Sequence, residues 1–209
     1  SHEGFHLGYE SALTREYQGE FYNLAPHLVS LGERTRSVDG AHVEYFRGIR
    51  NPIAVKLSGK ATAEEVRSLC DVLNPRNEPG RLSLITRLGA SQVSETLPRL
   101  IESTRAHGAV VAWMCDPMHG NTVTTSSGQK TRRFSDVLGE LSETHAIHDQ
   151  VGSTLAGVHF ELTGEDVTEC TGGAAQLEDG DLSQNYRSYC DPRLNYTQSM
   201  EMAFLIAEL

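Results

Sequence analysis

The pattern of apolar and polar residues repeats one unit along the chain: a short apolar run, a polar or glycine-bearing loop, and an amphipathic segment. The apolar runs are residues 53–57, 81–87, 109–114 and 157–162. Runs that are apolar at successive positions are typical of strands buried on both faces of a parallel sheet. Strands of this kind that alternate with helices predict an α/β fold.

The segments after these runs carry helix signals. Thr62 stands three residues before Glu65, which is the spacing of a capping box at a helix start. Further helices are predicted from residue 93 to about His107, from about Ser135, and at the end of the chain. The sequence contains neither GxGxxG nor GxxxxGK[ST], which disfavours a nucleotide-binding open sheet and favours a barrel.

A charged residue lies at or just beyond the end of each predicted strand. Lys56, Arg87, His119 and Glu161 end or follow the four runs, and Asp191 lies in the next segment. They are separated by roughly 30 to 40 residues, and one βα unit takes about 30 or more. Because the C-terminal strand ends of a barrel meet at one mouth, these groups are predicted to face one cavity.

Two kinds of chemistry are present in this set. His119, Glu161 and Asp191 offer one imidazole and two carboxylates, which suit Mn²⁺, Fe²⁺, Co²⁺ or Zn²⁺. The cations predicted to bind a phosphate group are Arg34, Lys56 and Arg87. A single strand-end charge is usually a solvated surface residue, but burying several charges is costly without a ligand, so the recurrence favours a site.

Other residues with reactive side chains receive a structural interpretation. His145 and His148 are interpreted as solvated helix residues, because they lie in the middle of a predicted helix and away from the barrel mouth. Cys115 is interpreted as a packed thiol. The four cysteines are scattered and predict reduced thiols in a cytoplasmic enzyme and no disulfide scaffold.

Composition narrows the possible partners. The net charge of −10 argues against nucleic acid as a partner, although it leaves room for a local basic pocket that binds a phosphorylated metabolite. The longest apolar stretches are far shorter than the ~20 residues of a membrane span, so no membrane partner is expected. A secretory signal is not visible at the start of the sequence.

Several long strings resemble the type II 3-deoxy-D-arabino-heptulosonate 7-phosphate (DAHP) synthases, and the likeness runs from the first residues to the final helix. The strings are residues 32–36 (Gly-Glu-Arg-Thr-Arg), 39–42, 115–121 (Cys-Asp-Pro-Met-His-Gly-Asn), 130–132 (Lys-Thr-Arg), 163–170 and 190–195 (Cys-Asp-Pro-Arg-Leu-Asn). The resemblance implies a TIM-type (βα)₈ barrel that condenses phosphoenolpyruvate with erythrose 4-phosphate at the first step of the shikimate pathway, commonly with Mn²⁺.

The resemblance also implies a role for each site residue. His119, Glu161 and Asp191 match three of the family's four metal ligands. Arg34, Lys56 and Arg87 match groups that hold phosphoenolpyruvate, with the backbone N–H of Glu33 assisting at the phosphate. Lys56, Arg87 and His119 are the expected catalytic residues.

Two departures from the family pattern stand out. The fourth ligand, a cysteine of the first strand, has no counterpart, and the sequence opens inside a motif of the third strand. We therefore expect residues 1–209 to form a single catalytic domain with about six of eight βα units, strands 3 to 8, without the N-terminal extension and first two strands. Ser30 stands where the family usually has a tryptophan, so we expect less packing near the pocket and an effect on affinity or substrate preference.

These departures leave several hypotheses open. An N-terminal fragment or a homo-oligomeric partner is expected to supply the missing strands, since a six-strand piece of a barrel leaves two hydrophobic edges exposed. A truncated, non-catalytic paralogue that binds or regulates a complete synthase is the alternative. A metal-dependent hydrolase on a barrel is a third hypothesis, which the three cations disfavour.

Overall fold

The computed structural model describes residues 2–209. The strands are β1 (His2–Glu3), β2 (Thr14–Tyr17), β3 (Glu20–Asn23), β4 (Val29–Leu31), β5 (Ile53–Ser58), β6 (Leu82–Arg87), β7 (Ala112–Cys115), β8 (Thr122–Thr124), β9 (Lys130–Arg132) and β10 (Leu155–Val158). The α-helices are α1 (Leu7–Leu13), α2 (Ala41–Gly48), α3 (Ala63–Leu73), α4 (Val93–Ala106), α5 (Phe134–Gln150) and α6 (Tyr196–Ala207). Short 3₁₀ turns occupy Glu33–Thr35, His119–Asn121 and Asp179–Gln184.

Six strands form one sheet in the order β1-β4-β5-β6-β7-β10. Every neighbouring pair in it is parallel. The order follows the chain in one direction, as in a (βα) barrel, whereas a doubly wound sheet reverses direction at a switch point. The predicted α/β fold with about six strands of a barrel is therefore confirmed. Strands β2 and β3, and strands β8 and β9, form separate antiparallel hairpins.

The interior strands and the helices that cover them form as the sequence pattern predicts. The first five residues of both β5 and β6 are buried, because β5 and β6 lie inside the sheet with helices over them. The capping box of α3 is present, with the hydroxyl of Thr62 accepting from the backbone N–H of Glu65 at 3.2 Å. Helix α3 then buries its apolar face against the main core, which includes Leu57 and Leu69.

Two predicted strands are displaced in the structure. Residues 109–111 precede β7, because the N–H of Ala109 bonds to the carbonyl oxygen of Thr104 at the exit of α4. Strand β10 ends at Val158, and not at residue 162 as predicted. Beyond it, Leu162 pairs with Leu194 in an isolated parallel bridge, so Glu161 lies in a separate bridge segment after the strand.

The prediction of two solvated histidines on α5 is wrong for His148, whose relative exposure is 1%. Its ring centroid lies 6.0 Å from that of Trp113, and its Nδ1 has no hydrogen-bond partner among residues 2–209. Burial, assisted by the charge of His145, lowers the pKa of His148 to about 4. Cys115 is fully buried, as the packed-thiol prediction requires. Within the described residues, no helix combines the length and apolar character that crossing a membrane demands.

Candidate active site

The C-terminal ends of the sheet strands surround a cavity of about 610 Å³. All seven predicted site residues line it: Glu33, Arg34, Lys56, Arg87, His119, Glu161 and Asp191. Lys56 and Arg87 reach it from β5 and β6, and His119 from the 3₁₀ turn after β7. The lining also includes Glu3, Lys130 and His159, to which the sequence assigned no role. The unit spacing of the charged residues therefore corresponds to convergence at one mouth.

The three predicted metal ligands lie close together. Nε2 of His119 is 3.2 Å from Oε1 of Glu161 and 3.9 Å from Oδ2 of Asp191. One donor atom from each residue falls within 4.8 Å of the others. A single imidazole with two carboxylates suits a divalent transition metal such as Mn²⁺. This donor set fits the expected ion.

Asp116 holds the imidazole of His119 from behind, a role that the sequence did not reveal. Its Oδ2 lies 2.7 Å from Nδ1 of His119, and its Oδ1 accepts from the backbone N–H groups of Met118 and His119 at 3.1 Å each. A carboxylate on the second ring nitrogen is the usual support of a metal-binding histidine. The only sequence signal was an aspartate placed to bond the backbone two and three residues later, as in a turn.

The Asp116–His119 pair has strongly shifted acidity. Burial acts to raise the pKa of Asp116, but the hydrogen bond and charge of His119 outweigh it and lower that pKa to about 2. Burial acts to lower the pKa of His119, and hydrogen bonds with Asp116 and Glu161 reverse this and raise it to about 9. The carboxylate of Asp116 is thus ionised at neutral pH and orients the ring.

Arg132 supports Glu161 from beneath. Its Nη1 donates to Oε2 of Glu161 at 2.6 Å and also to the carbonyl oxygen of Pro192. Its Nε donates to the hydroxyl of Thr122 at 3.0 Å, and the side chain is fully buried. Burial acts to raise the pKa of Glu161, but His119 and Arg132 lower it to about 2. Arg132 stood in one of the recognised strings, yet its position beneath a metal ligand was not predicted.

The predicted phosphate-binding cations differ in exposure. Lys56 is buried, with Nζ 3.7 Å from Asp116 and 3.9 Å from Glu3. Arg87 is half-buried and lines the cavity, and its Nε is buried without a hydrogen-bond partner among residues 2–209. Arg34 is exposed and lies over the ring of Phe5, 5.8 Å from the centroid. The structure brings all three to the cavity, with Lys56 and Arg87 deepest.

The side chain of Glu33 is hydrogen-bonded to neighbouring parts of the chain. Its carboxylate accepts from Nε of Arg36 at 3.0 Å and from the N–H and hydroxyl of Ser58 at 2.8 and 2.7 Å. These bonds outweigh burial and lower the pKa of Glu33. Glu33 thereby fastens its turn to the end of β5, while the assisting role of its backbone N–H stays a prediction. Ser30 is buried, and its hydroxyl donates to the carbonyl oxygen of His2 at 3.1 Å.

A clamp joins the loop after β6 to the turn that carries His119. The buried carboxylate of Glu140 on α5 accepts from the N–H of Leu88 at 2.8 Å and from the side-chain amide of Asn121 at 2.7 Å. A Cβ added to Gly120 would lie 2.3 Å from the backbone nitrogen of Gly89, so the two backbones touch there. Close approach of this kind requires glycine. The clamp fixes the loop that follows Arg87 against the His119 turn.

Comparison with known proteins gives consistent results. The model of the class-II DAHP synthetase family matches residues 1–207. The chain is 50% identical over 211 residues to phospho-2-dehydro-3-deoxyheptonate aldolase of Streptomyces coelicolor, and 48% identical over 227 residues to the protein of that name from Neurospora crassa. It is 46% identical over 216 residues to phospho-2-dehydro-3-deoxyheptonate aldolase AroG of Mycolicibacterium smegmatis.

Coverage is unequal in these comparisons. Each alignment includes 100% of this chain but 47% of the relative, so the chain spans about half the length of the curated relatives it matches. The solved structure of phospho-2-dehydro-3-deoxyheptonate aldolase from Francisella tularensis superposes with a TM-score of 0.53 at 17% identity, covering 87% of this chain and 54% of that one. At this identity the superposition supports the fold alone.

Proposed function

The chain belongs to the class-II DAHP synthetase family, and we propose that it carries the metal-binding and phosphoenolpyruvate-binding part of a DAHP synthase. The reaction is the condensation of phosphoenolpyruvate with erythrose 4-phosphate at the start of the shikimate pathway, in the cytoplasm. The observation that carries the proposal is the convergence of a His-Glu-Asp donor set and three cations on one cavity.

His119, Glu161 and Asp191 are the proposed metal ligands, with Mn²⁺ as the expected ion and Co²⁺, Fe²⁺ or Zn²⁺ as alternatives. A divalent ion held by these residues would supply Lewis-acid chemistry toward the aldehyde oxygen of erythrose 4-phosphate. The chain contributes the orientation of the ligands. Asp116 fixes the ring of His119, and Arg132 fixes Glu161, before any substrate enters.

Lys56, Arg87 and Arg34 are proposed to hold phosphoenolpyruvate, with the backbone N–H of Glu33 assisting at the phosphate. Arg87 lines the cavity and supplies a planar guanidinium suited to phosphate oxygens. Lys56 supplies a compact charge beside Asp116. These cations offset the phosphate charge.

The same groups support the proposed chemistry. C3 of phosphoenolpyruvate forms a bond to the aldehyde carbon, and the aldehyde oxygen becomes a hydroxyl by taking up a proton. Water then adds at C2 and loses a proton, and cleavage of the C2–O bond releases phosphate and leaves a ketone. Positive charge develops at C2 while the phosphate is still attached to the substrate. Because the cations bind that phosphate, they hold the substrate in one orientation until phosphate leaves. Lys56 and Arg87 are therefore proposed as catalytic residues together with His119.

Turnover is proposed to require more of the barrel than these residues provide. The chain spans about half of its relatives, and the sheet described here ends at β1 and β10. We infer that further strands pair with those edges, from the same polypeptide, an N-terminal fragment or an oligomeric partner. A non-catalytic partner of a complete synthase is the second candidate.

A reconstitution assay tests the proposal. The purified chain is mixed with phosphoenolpyruvate, erythrose 4-phosphate and Mn²⁺, with and without the N-terminal half of the Streptomyces coelicolor relative, and phosphate release is measured. Release that needs both halves and disappears with His119→Ala is the expected result. Release at the same rate from the N-terminal half alone contradicts the proposal. An inactive mixture that alters the rate of a complete relative indicates the regulatory candidate.

A further inference from the structure

The loop that carries Asp191 is organised around a single buried carboxylate, that of Glu169, whose relative exposure is 0%. Its Oε1 accepts from the backbone N–H groups of Arg187 and Ser188 at 3.1 and 2.8 Å. Its Oε2 accepts from the backbone N–H of Arg193 at 2.8 Å. Glu169 therefore binds the main chain on both sides of Asp191, before it and after it.

Arg193 completes the coordination of this carboxylate. Its Nε donates to Oε2 of Glu169 at 2.9 Å and its Nη2 to Oε1 at 2.7 Å, which makes a two-pronged ion pair. These bonds outweigh the cost of burial and lower the pKa of Glu169. Within the loop, the hydroxyl of Ser188 donates to the carbonyl oxygen of Asp191 at 2.7 Å. The loop is thus closed on itself, with Glu169 at its centre.

Glu169 is in turn fixed to the layer beneath the metal ligands. Its backbone carbonyl oxygen accepts from the hydroxyl of Thr131 at 2.9 Å, and the next residue of β9 is Arg132, which holds Glu161. The supports of two ligands from distant parts of the chain therefore share one strand. Tyr189 and Cys190 form the exposed surface of the loop, whereas the side chain of Glu169 lies buried inside it.

We propose that Glu169, paired with Arg193, is a positioning residue that holds Asp191 at the distance from His119 and Glu161 that metal binding requires. The inference rests on the proposed metal-binding role of those three residues. Loss of the carboxylate leaves three backbone N–H groups and the partly exposed guanidinium of Arg193 without their acceptor, and the loop relaxes to satisfy them. Outer groups of this kind typically change metal affinity by about 10- to 100-fold.

The test is Mn²⁺ titration of the purified chain by calorimetry, together with the electron paramagnetic resonance spectrum of the bound ion. Glu169→Gln keeps the size of the side chain but turns an amide group toward N–H donors. Arg193→Lys keeps the charge and removes the fork. Glu10→Gln is the matched control, because Glu10 is a buried carboxylate hydrogen-bonded to His2 and Asn23. His119→Ala tests the metal site itself.

The expected result is an affinity about 10- to 100-fold lower and an altered spectrum in Glu169→Gln, with a smaller change in Arg193→Lys and none in Glu10→Gln. Affinity and spectrum unchanged in Glu169→Gln, while His119→Ala abolishes binding, overturn this inference alone. Equal losses in Glu10→Gln also overturn it, since they indicate general destabilisation. If Glu169→Gln does not fold, wild-type affinity in Arg193→Lys decides against it. Wild-type binding by His119→Ala overturns the proposed metal site as well.

Discussion

Nη2 of Arg87 donates a hydrogen bond of 3.0 Å to the backbone carbonyl oxygen of His119. Arg87, which is proposed to bind phosphoenolpyruvate, is thereby joined to the turn that carries His119, a proposed metal ligand. The same side chain lines the cavity, so the guanidinium is anchored to the protein through Nη2 at the place where a ligand would lie. The two halves of the site are therefore positioned by one side chain.

Arg87→Ala is expected to weaken phosphoenolpyruvate binding by roughly 10- to 100-fold, since hydrogen bonds to charged groups contribute about 1.5–3 kcal/mol. The measurement is the KM for phosphoenolpyruvate in the reconstituted enzyme. Arg99→Ala, which removes a 70% exposed arginine on α4, is the control and should leave KM unchanged. An unchanged KM in Arg87→Ala refutes the assigned role.

His119→Ala is expected to lower Mn²⁺ affinity by at least about 10- to 100-fold, because it removes a ligand and not merely an outer support. Titration calorimetry on the purified chain measures this. His145→Ala serves as the control, as this half-exposed histidine lies on α5 outside the cavity. Binding like that of the wild type would remove His119 from the proposed ligands.

Two glycine substitutions are expected to have opposite effects. Gly120→Ala places a Cβ against the backbone of Gly89, so one loop must move, at a cost of about 1–3 kcal/mol in the free energy of unfolding. Gly139→Ala meets nothing within 4 Å on α5 and should stabilise the chain by about 0.5–1 kcal/mol. Urea denaturation compares the two, and equal effects contradict the described contact.

His148→Phe is expected to make the chain less sensitive to acid. The pKa of His148 is about 4 in the folded chain, through burial, against an ordinary value of 6.5. The unfolded chain therefore takes up the proton first, and stability is lost as pH falls from about 6.5 toward 4, by up to about 3 kcal/mol. Denaturation series at several pH values should show a shallower loss in His148→Phe and no change in the exposed-residue control His27→Phe.

Glu140→Gln is expected to change the pH dependence of stability in the opposite direction to His148→Phe. Burial, which outweighs the hydrogen bond from Leu88, raises the pKa of Glu140 to about 7 from 4.5. The folded chain therefore holds the proton more tightly, and the stability that this provides is lost as pH rises from about 4.5 through 7. In Glu140→Gln that decline should be absent. If the wild-type and variant curves run parallel between these values, the assignment is wrong.

The recurrence of charged residues at strand ends predicted much of the site, because strand ends of a parallel sheet meet wherever the intervening units have similar length. Lys56, Arg87 and His119 follow this rule directly. Glu161 reaches the cavity by another route, since β10 ends at Val158 and the bridge between Leu162 and Leu194 carries the chain onward. The pattern of apolar residues did not indicate that β10 ends early or that Leu162 pairs with Leu194.

The residues that sequence reasoning missed act on other residues and not on a ligand. Asp116, Arg132 and Glu169 are buried charges, and their partners lie up to 60 residues away or within a local turn. Single-sequence patterns reveal exposure and periodicity but not which distant group neutralises a buried charge. His148 was misjudged for the same reason, because its burial depends on the packing of α5 against Trp113.

The guanidinium of Arg132 anchors the base of the β8–β9 hairpin, whereas residues 126–128 at its tip are exposed. Length variation at the tip is therefore tolerable, as exposed polar loop tips usually accept insertions. Deleting one residue within β8 or β9 is different, because a shift of one position turns each side chain of a strand to the opposite face. New sequence meant to alter this cavity is therefore best inserted at the tip of the hairpin, with the lengths of β8 and β9 kept unchanged.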